Sequence, residues 1–265
     1  MMKEKTKVLV IGDSCLDVFQ YGRCERLSPE APVPVFLPTK KKENGGMALN
    51  VLNNLKALGV ECDILTNKFL SIKTRYVDEI SNQMLIRIDE NDNVKRITQE
   101  ELESINLDNY AAVMISDYNK GYLDIDDIMW IADNHSLTFI DTKKELGEWC
   151  NKIKFIKINK KEYDRNSKYL DNKYPHNAVI TLGKDGALLI LNNNGIISKK
   201  YFSIEEEHDV RDLSGAGDTF FAALVASYLK NNDICDAINF ANKCASWVVT
   251  QKGVVVVDVN KIDRR

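Results

Sequence analysis

Apolar residues fall along this chain in short continuous runs, separated by stretches with helical spacing. "KVLVIGD" (7–13), "VECDILT" (60–66), "AAVMISD" (111–117), "LTFIDTK" (137–143), "FIKIN" (155–159) and "AVITLG" (178–183) have the length and composition of buried strands. "GGMALNVLNNLKALG" (45–59) has apolar residues at 47, 48, 51, 52, 55 and 58 and ends in glycine, which predicts a helix. "DIDDIMWIADN" (124–134) predicts another. "NDNVKRITQEELESI" (91–105) predicts a loop and then a helix, with Thr98 as its cap and Glu101 completing a capping box. Strands that alternate with helices imply an α/β fold with a mostly parallel sheet covered on both faces. Ligands of such sheets bind beyond the carboxyl ends of the strands. Asp13, Asp117, Asp141, Asn159 and Gly183 fall at those ends and are candidates for one cleft.

Two segments break the alternation. "PVPVFLPT" (32–39) holds three prolines and is excluded from a central strand. "KTRYVDEISNQMLIRIDE" (73–90) predicts a hairpin with "ISNQ" at its turn. Together they predict either a small β lid, over about 14–39 and 72–90, or an ordinary surface hairpin.

Composition narrows the function classes. The 265 residues are 44% hydrophobic, enough for a substantial core, and the net charge of −3 argues against a nucleic-acid partner. No apolar run has membrane-spanning length. The six cysteines form no CxxC pair and no zinc spacing, which points to free thiols in the cytoplasm.

The candidate chemistry centres on "DLSGAGDTF" (212–220), followed by a stretch apolar on nearly every face. An all-apolar helix is buried, and its first turn presents unpaired N–H groups and the positive end of the dipole. Side chains at Gly215, Ala216 and Gly217 are small enough for an anion to approach. Asp218 would then stand beside the anion, placed to take a proton from an attacking hydroxyl. The same residues also fit an aspartate cap after a glycine turn. There is no G-x-x-x-x-G-K-[ST], and "GDSCLD" is not G-x-G-x-x-G.

"DLSGAGDTF", with "GDSCLD", "GGMALN", "NKKE" and "TLGKDG" in that order along the chain, resembles the ribokinase/PfkB family of carbohydrate kinases. "RLSPEAPVPV" (26–35), "LIRID" (85–89) and "SDYNKG" (116–121) are similar to the branch acting on a heptose 7-phosphate. The resemblance implies a single sugar-kinase domain over 1–265, a ribokinase-like three-layer α/β/α fold, and ATP-dependent phosphorylation of D-glycero-β-D-manno-heptose 7-phosphate at O1. Kinases of other sugars or nucleosides, and a non-catalytic binding descendant, are the alternatives.

By resemblance Asp218 is the base and Gly215, Ala216 and Gly217 the anion hole. Asp17, Gly45, Gly46 and Asn50 grip the sugar. Asn159, Thr181, Gly183, Gly186 and Asn242 lie on the nucleotide side. Glu162 orders Mg²⁺, and Asp212 adjoins a monovalent-cation site that would take K⁺. A homodimer through the lids is also implied. The chain departs from the family between Thr66 and Lys73, where six residues stand in place of a helix and strand.

Overall fold

The computed structural model describes residues 6–170, 177–193, 196–204 and 209–262. Twelve strands and seven α-helices follow one another in these segments. The strands form two sheets. The larger has eight strands in the order β12-β11-β10-β9-β8-β7-β1-β4. Its parallel part comprises β1 (Val8–Gly12), β4 (Cys62–Thr66), β7 (Ala112–Asp117), β8 (Thr138–Thr142), β9 (Phe155–Asn159) and β10 (Ala178–Thr181). An antiparallel pair, β11 (Ala187–Asn193) and β12 (Ile196–Phe202), extends one edge.

Helices cover both faces. On one side α1 (Ala48–Ala57), α5 (Ala216–Asn231), α6 (Ile234–Val248) and the short α7 (Val259–Ile262) share a core with Val8, Val10, Met114, Phe139 and Phe155. On the other, α2 (Gln99–Glu103), α3 (Ile125–Asn134) and α4 (Lys160–Leu170) pack on Leu9, Ile11, Val113, Ile115, Ile140 and Ile156. The two cores take alternate residues of the same strands, as the period-two geometry requires. The fold is the expected three-layer α/β/α arrangement. α5 is buried at every position from Asp218 to Ser227, which explains its lack of a polar face. Among the described residues no helix is long and apolar enough to cross a membrane.

The second sheet, with order β3-β2-β5-β6, is the lid. It is built from β2 (Ser14–Leu27), β3 (Pro34–Met47), β5 (Ser71–Asp78) and β6 (Met84–Glu90). β3 is an edge strand, the position in a sheet where prolines such as Pro34 and Pro38 are tolerated. The lid therefore extends beyond the predicted 14–39: β3 continues through Gly45 and Gly46, and the helix predicted from 45 starts at Ala48. The glycines pair with Leu16 and Cys15, and that ladder holds the backbone extended. β11 and β12 correct a second omission, since they were not predicted as a hairpin.

Between Thr66 and Ser71 the chain passes straight from the edge of the large sheet into the lid. Asn67 stitches this shortcut. Its side chain accepts from Ser14 N–H at 2.8 Å and donates to Ser14 O at 3.1 Å. Both exits from the base, β1 to β2 and β4 to β5, are thus tied by one amide that imitates a backbone partner.

Candidate active site

The turn before α5 is set by Gly215 at φ +80°, where a side chain would also meet Asn50 Nδ2 at 2.7 Å. Asp218 lies in the first turn of the helix and is 4% exposed. Its Oδ2 accepts from Asn50 Nδ2 at 3.0 Å, and its Oδ1 accepts from the Tyr118 hydroxyl at 2.7 Å. Burial pushes the carboxyl up to about 6, against the pull of these two hydrogen bonds; nearby Asp141 raises it further and Lys157 lowers it. Such a group ionises just below neutrality while keeping affinity for a proton, as a general base requires. Of the three proposed anion-hole amides, Ala216 N–H is engaged weakly, to Leu213 O at 3.4 Å.

Asn50 is held from behind. Asn54, one turn later on α1, donates to Asn50 O and Oδ1, and its own Oδ1 accepts from Thr219 Oγ1 at 3.2 Å and Val257 N–H at 3.0 Å. α1, α5 and the C-terminal segment are therefore locked around the Asp218 carboxylate.

Tyr118 was not singled out from the sequence. The "SDYNKG" motif marked its loop, but its partner lies 100 positions away. Asp13, expected in the cleft, instead accepts from the N–H groups of Tyr118, Lys120 and Tyr122 at 2.8, 3.1 and 3.2 Å. Asp117 accepts from Asn119 N–H, Thr142 Oγ1 and Lys144 Nζ. These two carboxylates shape the loop that presents Tyr118. Both stay at the strand ends, with their oxygens taken up by backbone N–H groups and, for Asp117, also by the side chains of Thr142 and Lys144.

On the lid, Asp17 is buried and ion-paired with Arg75. A Cβ on Gly46 would stand 2.1 Å from Asp17 Oδ2, and one on Gly45 would stand 2.7 Å from Leu49 Cβ. Gly46 therefore makes room for the carboxylate, whereas Gly45 serves helix packing. Lys73 and Arg75 stand opposite Asp17 and Phe19 in register and share their face. Lys73 Nζ lies 5.9 Å from the Tyr118 ring centre, so this face looks onto the partner of Asp218.

Asn159 and Glu162 cap each other at the start of α4: Glu162 N–H donates to Asn159 Oδ1 at 3.0 Å, and Asn159 N–H to Glu162 Oε2 at 2.8 Å. The other Glu162 oxygen pairs with Lys143 at 2.6 Å. Thr181 neighbours Asn159 in register. Gly183 and Gly186 both have positive φ, and a Cβ on Gly186 would be 1.9 Å from Phe202 O. Asn242 Nδ2 donates to that same carbonyl at 3.2 Å. Gly186 and Asn242 therefore secure the end of β12, a role the sequence did not separate from nucleotide contact. Asp212 accepts from Ser214 N–H in its own turn at 2.8 Å and from the distant Gly253 N–H, in the "TQKG" segment, at 3.1 Å.

Residues 123–260 match the pfkB family carbohydrate kinase. The chain belongs to that family. The bifunctional protein HldE of Helicobacter pylori strain J99 is 32% identical over 311 residues, covering 97% of this chain. The chain spans 65% of that relative's length. Among solved structures, phosphofructokinase-2 from Escherichia coli in complex with potassium superimposes with TM-score 0.75 at 13% identity, covering 98% of this chain and 97% of that one. The ribokinase of Arabidopsis thaliana complexed with ribose and ATP superimposes at 0.71 and 14%, covering 97% and 98%. Ribokinase-like folds thus share the architecture.

Proposed function

We propose that the chain is an ATP-dependent kinase transferring a phosphoryl group to a sugar hydroxyl, with O1 of D-glycero-β-D-manno-heptose 7-phosphate as acceptor. The observation that carries the reading is Asp218: a buried carboxylate with a pKa raised to about 6, at the N-terminus of a buried helix and after a turn of small residues. Phosphoryl transfer needs alignment and charge neutralisation more than covalent help. Asp218 orients the acceptor hydroxyl and takes its proton at a carboxylate oxygen, while Asn50 and Tyr118 hold the carboxylate. The amides at 215–217 face the transferring group. Asp17 and Arg75 fix the sugar from above, and the lid excludes water that would compete as acceptor.

Glu162 offers a hard carboxylate oxygen beside Lys143, and this donor chemistry fits a hydrated Mg²⁺ held mainly through waters and phosphates. Bound with ATP, the ion would neutralise phosphate charge. K⁺ activation has less support, because the N–H groups of Ser214 and Gly253 already tie the turn to Asp212 without an ion.

The "RLSPEAPVPV", "LIRID" and "SDYNKG" motifs and the similarity to HldE support the heptose assignment. The lid supports a homodimer: Leu27, Val33, Leu37, Met84, Ile86 and Ile88 are exposed on it, and a four-stranded sheet alone leaves one face uncovered. Cysteine spacing supports a cytoplasmic location. The test is ADP release with ATP and a panel of sugars and sugar phosphates that includes the heptose 7-phosphate. Turnover strongest on that substrate is expected; a different preferred acceptor removes the heptose assignment, and ADP release independent of every acceptor removes the kinase reading.

A further inference from the structure

The sheet face beneath α5 changes character within a single rung. Register aligns Val10, Met114, Phe139 and Phe155 across β1, β7, β8 and β9, and all four belong to the apolar core. The next rung on that face is Gly12, Ser116, Asp141 and Lys157. Lys157 Nζ pairs with Asp141 Oδ2 at 2.6 Å, with both side chains 3% exposed. A Cβ on Gly217 would stand 3.2 Å from that Nζ, so the ammonium lies directly against the glycine turn.

Packing does not call for this pair. Buried ion pairs suffer desolvation, and apolar residues of similar volume commonly serve stability as well or better. A cation near the N-terminus of α5 is also opposed by the helix dipole. Two further groups in the row, Asp141 Oδ1 and Ser116 Oγ, are buried and make no hydrogen bond among the described residues. The opposition disappears when an anion occupies the turn, because amides, helix end and lysine then all favour the same charge.

We propose that Lys157 is a positioning charge for phosphoryl transfer: locked by Asp141 beneath Gly217, it sets a fixed positive potential behind the 215–217 turn and holds that turn ready for the phosphoryl group in flight. It acts through the turn rather than by touching substrate. Asp141 Oδ1 lies 3.6 Å from Lys143 Nζ, which pairs in turn with Glu162. Alternating charges therefore run from beneath the anion hole to the proposed nucleotide side. The inference rests on the kinase reading, and its test separates the two.

Lys157→Met alone leaves Asp141 without its partner and risks misfolding. The decisive variant is therefore Lys157→Met with Asp141→Val, which removes both charges. Its thermal midpoint, kcat, and KM for ATP and for an accepted sugar phosphate are compared with wild type. Affinities for Mg·ADP with and without aluminium fluoride, a mimic of the phosphoryl group in flight, are measured alongside. The expected result is a folded protein with both KM values and the affinity for Mg·ADP alone within about twofold, and kcat and mimic affinity each lowered about tenfold or more. A folded double variant with wild-type kcat and mimic affinity overturns the proposal and leaves the pair structural. If wild type phosphorylates nothing in the panel, the kinase reading fails separately. The fluoride arm still decides on Lys157: unchanged mimic affinity overturns the proposed role, and a selective loss supports it.

Discussion

The base sheet and the lid are both β-structure, yet they treat polar residues in opposite ways. β1, β7 and β8 are buried at every position, whereas β6 is exposed at every position. In the base, carboxylates at the strand ends are buried and fixed by backbone donors or an ion pair: Asp13 by three N–H groups, Asp141 by Lys157. In the lid, charged side chains such as Arg87 and Asp89 pair near solvent, where the energetic consequence is small. The difference assigns roles. On the proposed kinase reading, chemistry that depends on close placement would belong to the base and substrate recognition to the lid.

The sharpest way to break this contrast is at the base. Asp218→Asn should lower kcat by about 10²–10⁴ while leaving ATP affinity nearly intact. Its effect on stability has a definite sign. The folded carboxyl titrates near 6, above its ordinary value, so folding favours the protonated form and that stabilisation is lost as pH rises through 6. At pH 8 the asparagine variant should therefore unfold at or above the wild-type temperature. Wild-type turnover, or a marked fall in melting temperature at pH 8, would contradict this assignment.

Next in size is Phe221→Ala, a fully buried ring on α5, expected to cost about 3–5 kcal/mol in chemical denaturation. The lid counterpart is Ile86→Asp with Ile88→Asp. Both residues are exposed in the single chain, so the melting temperature should move by only about 2 °C. If the proposed lid-to-lid homodimer forms, sedimentation should nevertheless show a dimer for the wild type and a monomer for the variant. A lid that tolerates both charges with its dimer intact would place the interface elsewhere.

A smaller effect probes the junction between loop and base. The Tyr118 hydrogen bond lowers the Asp218 pKa, so Tyr118→Phe should shift the acidic limb of the kcat/KM profile to higher pH. An unmoved limb would show that the hydroxyl is not coupled to the base. The smallest expected change is replacement of K⁺ by tetramethylammonium at constant ionic strength, which should alter the rate by less than about twofold, because Asp212 already ties Ser214 and Gly253 together through their N–H groups. A several-fold fall, abolished in Asp212→Asn, would restore the cation site.

Local sequence determined a good deal of this protein. Continuous apolar runs marked the six parallel strands of the base, the Thr98 capping box marked α2, and the small residues before Asp218 marked the turn into α5, because each pattern is complete within a few residues. The hairpin turn at Ile80–Gln83 was legible for the same reason. Other features needed the tertiary structure. Gly45 and Gly46 belong to a strand because Leu16 and Cys15 pair with them, not because of any propensity of their own. Tyr118 reaches Asp218 only because Asp13 folds its loop, and Asn242 became a structural tie only when Phe202 O arrived beside it. Lys157 left a trace, a single lysine inside "FIKIN", but its meaning depended on the register that set Asp141 beside it and on α5 crossing above. Short-range patterns specify elements. Which buried charges meet is decided by sheet register and helix packing, since pairing across tens of residues has no local signature.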